Sequence, residues 1–206
     1  MAIVTGQAYG FTALSPIRTD LVDGVARARL LRERLAALPT GAESPFARIP
    51  TMHFARWVVV DTLPYEGFPA RNDVLASAYL LFVCDFDGAL ADTLNLLATA
   101  TADVMDALYA HCVDYPGTRG LRAFGRYLAR CQVDTTFLYG SYPDSTLDDV
   151  LHALALQHAT VDWLADVQHH LHRPAGGEPD AGALLAEFRR FADRVDAMAP
   201  RAPGAA

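Results

Sequence analysis

Three apolar segments rich in β-branched and aromatic residues, with helical periodicity between them, predict an α+β fold. The segments are Met52–Asp61 (MHFARWVVVD), Tyr79–Phe86 (YLLFVCDF) and Val133–Tyr139 (VDTTFLY). With a first strand over Tyr9–Ile17, they fall in the order strand, helix, strand, strand, helix, strand. That order is the ferredoxin-like βαββαβ antiparallel sheet, here with extra C-terminal helices.

Each element follows from local chemistry. Thr19 or Asp20 is an N-cap candidate, and Leu21, Val25, Ala28, Leu31, Leu35 and Leu38 recur at helical spacing. Pro39 and Gly41 end that helix, and Pro45 and Pro50 mark a loop. Thr62–Ala76 holds Pro64, Gly67 and Pro69 and reads as a long loop, a candidate lid or a passive connection. Asp87-Gly88 turns into a helix over Leu90–Cys112, whose face runs Leu94, Leu97, Thr101, Val104, Leu108 and His111. A short helix is expected over Leu121–Arg130. Asp144 or Ser145 caps a helix reaching about His170. Arg173–Pro179 is a hinge, and Leu184, Leu185, Phe188, Phe191 and Val195 form an amphipathic final helix. Residues 1–173 are thus expected to form one domain, with the helix and tail of 174–206 packed on it.

Strand alternation gives both sheet faces an apolar character. Phe54, Val58 and Val60 share one face with Arg56, while His53, Ala55, Trp57 and Val59 take the other. Leu81 and Val83 oppose Leu80, Phe82 and Cys84. Two core helices cover one face only, and leaving the second wet forfeits about 25 cal/mol per Å². A second copy of the chain, giving a dimeric α+β barrel, is the favoured cover. The C-terminal helices are the other.

Composition narrows the function classes. The chain has 206 residues, 52% hydrophobic and 20% charged, enough for a core without metal or disulfide staples. Net charge is -7 with no basic stripe, which argues against nucleic acid and anionic membranes as partners. All 17 basic residues are Arg, so Schiff-base chemistry and a Walker A loop, both of which need Lys, are excluded. Neither GxSxG nor GxGxxG is present. No apolar run reaches transmembrane length, and no signal peptide is expected at Met1–Gly6. Cys84, Cys112 and Cys131 lack CxxC spacing, which fits a reduced, cytoplasmic setting without thiolate zinc.

Four stretches carry a resemblance: Thr51–Trp57 (TMHFARW), Leu80–Gly88 (LLFVCDFDG), His111–Gly117 (HCVDYPG) and Cys131–Phe137 (CQVDTTF). Together they resemble a vaguely characterised bacterial family with a fold of the dimeric α+β barrel kind, over most of Phe11–Leu164. The resemblance implies fold rather than mechanism. The broader superfamily includes cofactor-free monooxygenases, polyketide cyclases, chlorite dismutase-type haem enzymes and dye-decolorising peroxidases. The last group carries GxxDG. Here Cys84-Asp85-Phe86-Asp87-Gly88 keeps the DG pair and replaces the first Gly.

The candidate site residues each have a plainer role beside the chemical one. His53 is a general base or a hydrogen-bonded core imidazole. Arg56 anchors an anionic substrate or pairs with Asp85 or Asp87. His111 is a proton shuttle, an axial haem ligand, or a helix-end His favoured by the dipole. Asp87 points into a pocket or serves as a turn and N-cap residue. Trp57, Phe82, Thr135, Phe137 and Tyr139 form substrate walls or simply pack. His169, His170 and His172 bind metal or line a solvated helix end. The expected function is a small-molecule oxygenase or related oxidoreductase acting on an aromatic or polyketide-like substrate. Its cofactor is left open between haem and none. A haem peroxidase using His111, a cofactor-free cyclase or isomerase, and a non-catalytic binding module are the alternatives.

Overall fold

The computed structural model describes residues 4–63, 67–69, 74–171 and 181–198. Its order is β1 (Val4–Thr5), β2 (Ala8–Pro16), β3 (Leu21–Val22), β4 (Val25–Ala26), α1 (Arg27–Ala36), β5 (Met52–Thr62) and β6 (Val74–Asp87). Then come α2 (Leu90–Ala100), α3 (Ala102–Tyr109), α4 (Leu121–Arg130), α5 (Leu147–Leu171) and α6 (Ala181–Asp196). The main sheet is antiparallel with order β1-β2-β6-β5, so the fold is α+β.

The central strand β6 sorts its residues by parity. Leu80, Phe82, Cys84 and Phe86 are buried under the helices, together with Phe11, Ala13 and Ser15 of β2. Leu94, Leu97, Met105, Leu108, Tyr109, Phe124 and Leu128 close this core from α2, α3 and α4. Trp57 stacks on Phe82 with ring centroids 5.2 Å apart, and Phe46 lies 4.7 Å from Trp57. On the reverse face, Phe54 and Val58 are 75% and 42% exposed. Among the described residues the C-terminal helices reach this face only through the first turn of α5, and leave Phe54 and Val58 exposed. α5 and α6 pack on each other through Trp163 and Phe191, whose centroids are 5.0 Å apart.

Four expectations need correction. Val133–Tyr139 is not a strand. Its backbone bonds β2 only at its entry: Leu14 N–H donates to Cys131 O at 2.7 Å, and Val133 N–H to Thr12 O at 2.8 Å. Farther along, β1 already pairs with Ala8 and Tyr9 and occupies that edge. Helix α1 begins at Arg27, not near Leu21. Asp23 (φ 50°) and Gly24 (φ 78°) turn β3 into β4, because an Asp-Gly pair accepts the left-handed conformations of a tight hairpin. The expected Leu90–Cys112 helix divides at Thr101, whose buried hydroxyl donates back to Leu97 O at 2.8 Å. Strand β6 starts at Val74, which pairs with Thr62, so the expected Thr62–Ala76 loop is shorter. Its residues 64–66 and 70–73, the 173–179 hinge and His172 lie outside the described residues, as do the side chains of His169 and His170.

Candidate functional site

The site begins with an irregularity in β5. Met52 opposes Phe86 and Phe54 opposes Asp85, so His53 is an extra residue between two regular pairs. Such a bulge re-aims a side chain. Strict alternation puts His53 beside Trp57; the bulge instead takes it to the reverse face, where its Nε2 lies 2.7 Å from Asp87 Oδ1. Trp57 remains in the core under the helices.

Asp87 ends β6 and serves two partners. Its second oxygen accepts the Leu147 N–H at 2.7 Å, in the first turn of α5. The side chains of His53 and Asp87 are only 17% and 10% exposed. An amide N–H at a helix N-terminus and an imidazole N–H are both natural donors to a carboxylate.

His53 of this pair lines a cavity of about 510 Å³, and Asp87 stands behind it. Ala8, His53, Phe54 and Asp85 belong to its sheet side. Leu138–Tyr142, Ser145, Leu147 and Val150 belong to its opposite wall, with Thr5 at the rim. That wall is tied to the β1–β2 turn, where Gln7 N–H donates to Pro143 O at 2.7 Å. Gly6 makes the approach possible: it has φ 58°, and a Cβ there would lie 1.9 Å from Pro143 O. Gly10 matters likewise, since a Cβ would come within 3.1 Å of Leu138 and 3.4 Å of Asp85.

Asp85 faces the cavity two residues before Asp87, on the same side of β6. Burial pushes its carboxyl above the usual range, and the charges of His53 and Arg56 partly oppose that rise. Arg56 is exposed on the same face and acts on Asp85 through space. The expected ion pair between Arg56 and either aspartate is not made; Asp87 is taken up by His53 and Leu147.

The remaining candidates separate. Tyr139 lines the cavity and is 74% exposed. Thr135 donates to Gly10 O at 3.4 Å, and Phe137 is 80% exposed and outside the lining. Neither follows the expected strand alternation, because no strand forms there. Phe82 belongs to the core under the helices, not to a substrate wall. His111 lies at the far end of β2, where Arg18 N–H donates to its carbonyl. Ala8 and Ile17 are nine residues apart, about 30 Å of strand, so His111 cannot shuttle protons for this cavity. Its Nδ1 is 3.3 Å from Arg27 Nη1. Burial and the charges of Arg34, Arg27 and Arg18 push its pKa down. The hollow beside it is lined by Arg18, Ala110, Cys112, Val113, Asp114 and Tyr115, not by His111, which does not suit axial ligation of haem.

Sequence reading named only Tyr139 of the loop wall at 138–142, and missed the rest of that wall, the Leu147 amide and Asp85 as a cavity residue. Asp85 and Asp87 at alternate positions ending an apolar strand were the available signal. The wall had none, since its placement depends on long-range contacts with Gln7 and Gly6. Among the described residues no three His, Cys, Asp or Glu side chains converge as a metal site, and no helix is long and apolar enough to cross a membrane. Comparison with models of protein families, with curated proteins and with solved structures finds no match.

Proposed function

We propose that the cavity is the active site of an enzyme that removes a proton from an apolar small molecule. The observation that carries this reading is the 2.7 Å His53–Asp87 contact at the edge of a 510 Å³ cavity with Phe54, Leu138 and Leu147 in its lining. In this reading Asp87, which already accepts the Leu147 amide, takes its second bond from His53 Nε2–H, and the Nδ1 lone pair serves as the base. Phe54, Tyr139 and Leu138 supply apolar area for a flat ring, and Arg56, exposed on the same face outside the lining, adds positive charge through space. Oxygenation follows if the resulting anion meets dioxygen. Isomerisation follows if it is reprotonated at another carbon, and cyclisation follows if its carbon attacks a second carbonyl of the same molecule and the alkoxide formed takes up the proton.

Deuterium exchange into the enolisable ketone β-tetralone, followed by NMR in D2O, tests the reading. The wild-type chain should accelerate exchange, and His53→Gln should lower the rate by about 10²-fold or more. Equal rates in the two proteins would remove His53 from the chemistry. An oxygen electrode run on the same mixture reads the oxygenase branch.

The exposed Phe54 and Val58 favour a second copy as the cover of the reverse face, in the manner of a dimeric α+β barrel. The Cys131–Val133 segment lies on the outer edge of β2, where a ferredoxin-like order would put its last strand. Sedimentation giving a monomer at micromolar concentration would count against the dimer.

A further inference from the structure

Two proton-handling groups, not one, share the sheet side of the cavity. His53 adjoins Phe54, and Phe54 is the register partner of Asp85. Directly paired residues on neighbouring antiparallel strands are separated by about 4.5–5.5 Å between Cα atoms. The imidazole and the Asp85 carboxyl both line the cavity from the sheet, and the His53 charge acts on Asp85 through space, so the two groups can address one side of a ring lying there. Asp85 is not engaged like its neighbour Asp87, which already holds His53 and the Leu147 amide. Gly10, opposite Asp85 in β2, lets Leu138 close over the carboxyl.

From this we infer that Asp85 is the acid partner of His53, and that the site catalyses a suprafacial 1,3-proton shift in a β,γ-unsaturated cyclic ketone. The inference rests on the proton-abstraction reading above and chooses among its outcomes. His53 Nδ1 takes the α-proton, and the C–H electron pair passes into the dienolate. Asp85 then gives its proton to the γ-carbon, forming the new C–H bond and the conjugated enone. His53 carries a proton and Asp85 lacks one at that point; water moves the proton back, so no oxidant or reductant is consumed. Burial of the Asp85 carboxyl favours the protonated form that such a donor needs.

The test uses the bicyclic β,γ-unsaturated octalone, read by the rise of enone absorbance, beside β-tetralone exchange. The expected result is that the wild-type chain conjugates octalone in D2O and places deuterium at the γ-carbon. Asp85→Asn should slow octalone conjugation by about 10²-fold or more, a larger loss than the same variant shows in β-tetralone exchange. Asp85→Glu, which restores an acid, should recover part of the rate. Wild-type conjugation by Asp85→Asn, or a product that retains the substrate's own proton at the γ-carbon, would overturn Asp85 as donor and leave His53 as sole shuttle. Dioxygen consumption with octalone would overturn the isomerisation in favour of the oxygenase branch. Absence of both exchange and conjugation in the wild type would overturn the proton-abstraction reading and this inference together.

Discussion

The two faces of the main sheet are built from the same strands, yet neighbouring residues have opposite fates. Phe82 is fully buried among rings, whereas Phe54, on a partner strand and the other face, is three-quarters exposed. The helix face spends its residues on packing. The reverse face carries Asp85, Asp87, His53 and Arg56, and its Asp85 and His53 line a cavity closed by the 138–142 loop and the first turn of α5. A hydrophobic pattern alone therefore does not tell the core face from the face that carries the cavity; the charged residues at one end of the strands do.

The largest effect should separate the two aromatics. Phe82→Ala opens a cavity among Phe11, Trp57 and Phe46 and should cost about 3–5 kcal/mol in urea unfolding. Phe54→Ala should change stability by about 0.5 kcal/mol or less. Similar losses for both would erase the distinction between the faces.

Asp87→Ala should come next. It strips two short hydrogen bonds from one mostly buried carboxylate and leaves the Leu147 amide unpaired. A loss of about 2–3 kcal/mol is expected, with faster proteolysis of the 138–147 wall. An unchanged cleavage rate would show that Asp87 does not fasten α5.

The smallest effect concerns pH, and its sign differs by location. The Arg32 guanidinium holds the Asp61 carboxyl low, and bonds from Tyr115 and Thr118 do so for Asp106 against the effect of burial. These carboxyls contribute stability at pH values above about 4, and it is lost as pH falls through their depressed folded values. Asp85 runs the other way. Its folded pKa is raised, so its net cost is absent at low pH and grows as pH rises from about 4 through the folded value. Asp85→Asn should therefore raise Tm at neutral pH and leave it unchanged below pH ~3. A Tm increase of equal size at both would mean that the carboxyl's ionisation is not the cause.

Much of the helix-side core was legible from parity and periodicity, because Leu80, Phe82 and Cys84 or Leu94, Leu97 and Leu108 repeat at the spacing their elements impose. The Val133–Tyr139 segment misled for a physical reason. Its residues suit a strand, but β1 holds the edge it would need. The Asp23-Gly24 hairpin was readable and yielded to a longer apolar periodicity that ran through it. Half of the site, His53 and Asp87, was visible as residues but not as a pair. A one-residue bulge decides their meeting, and alternation rules assume no such insertion.

One carboxylate answering to both an imidazole and a helix amide makes α5 a lever with its fulcrum at the cavity. Drawing His53 toward a bound molecule weakens one arm of that clasp, and the other arm is the first turn of a 25-residue rod about 37 Å long. A small displacement at Leu147 is thereby magnified at the rod's distant end, where α6 packs. Occupancy of the chamber should be felt at the α5–α6 pair, without any contact between it and the occupant.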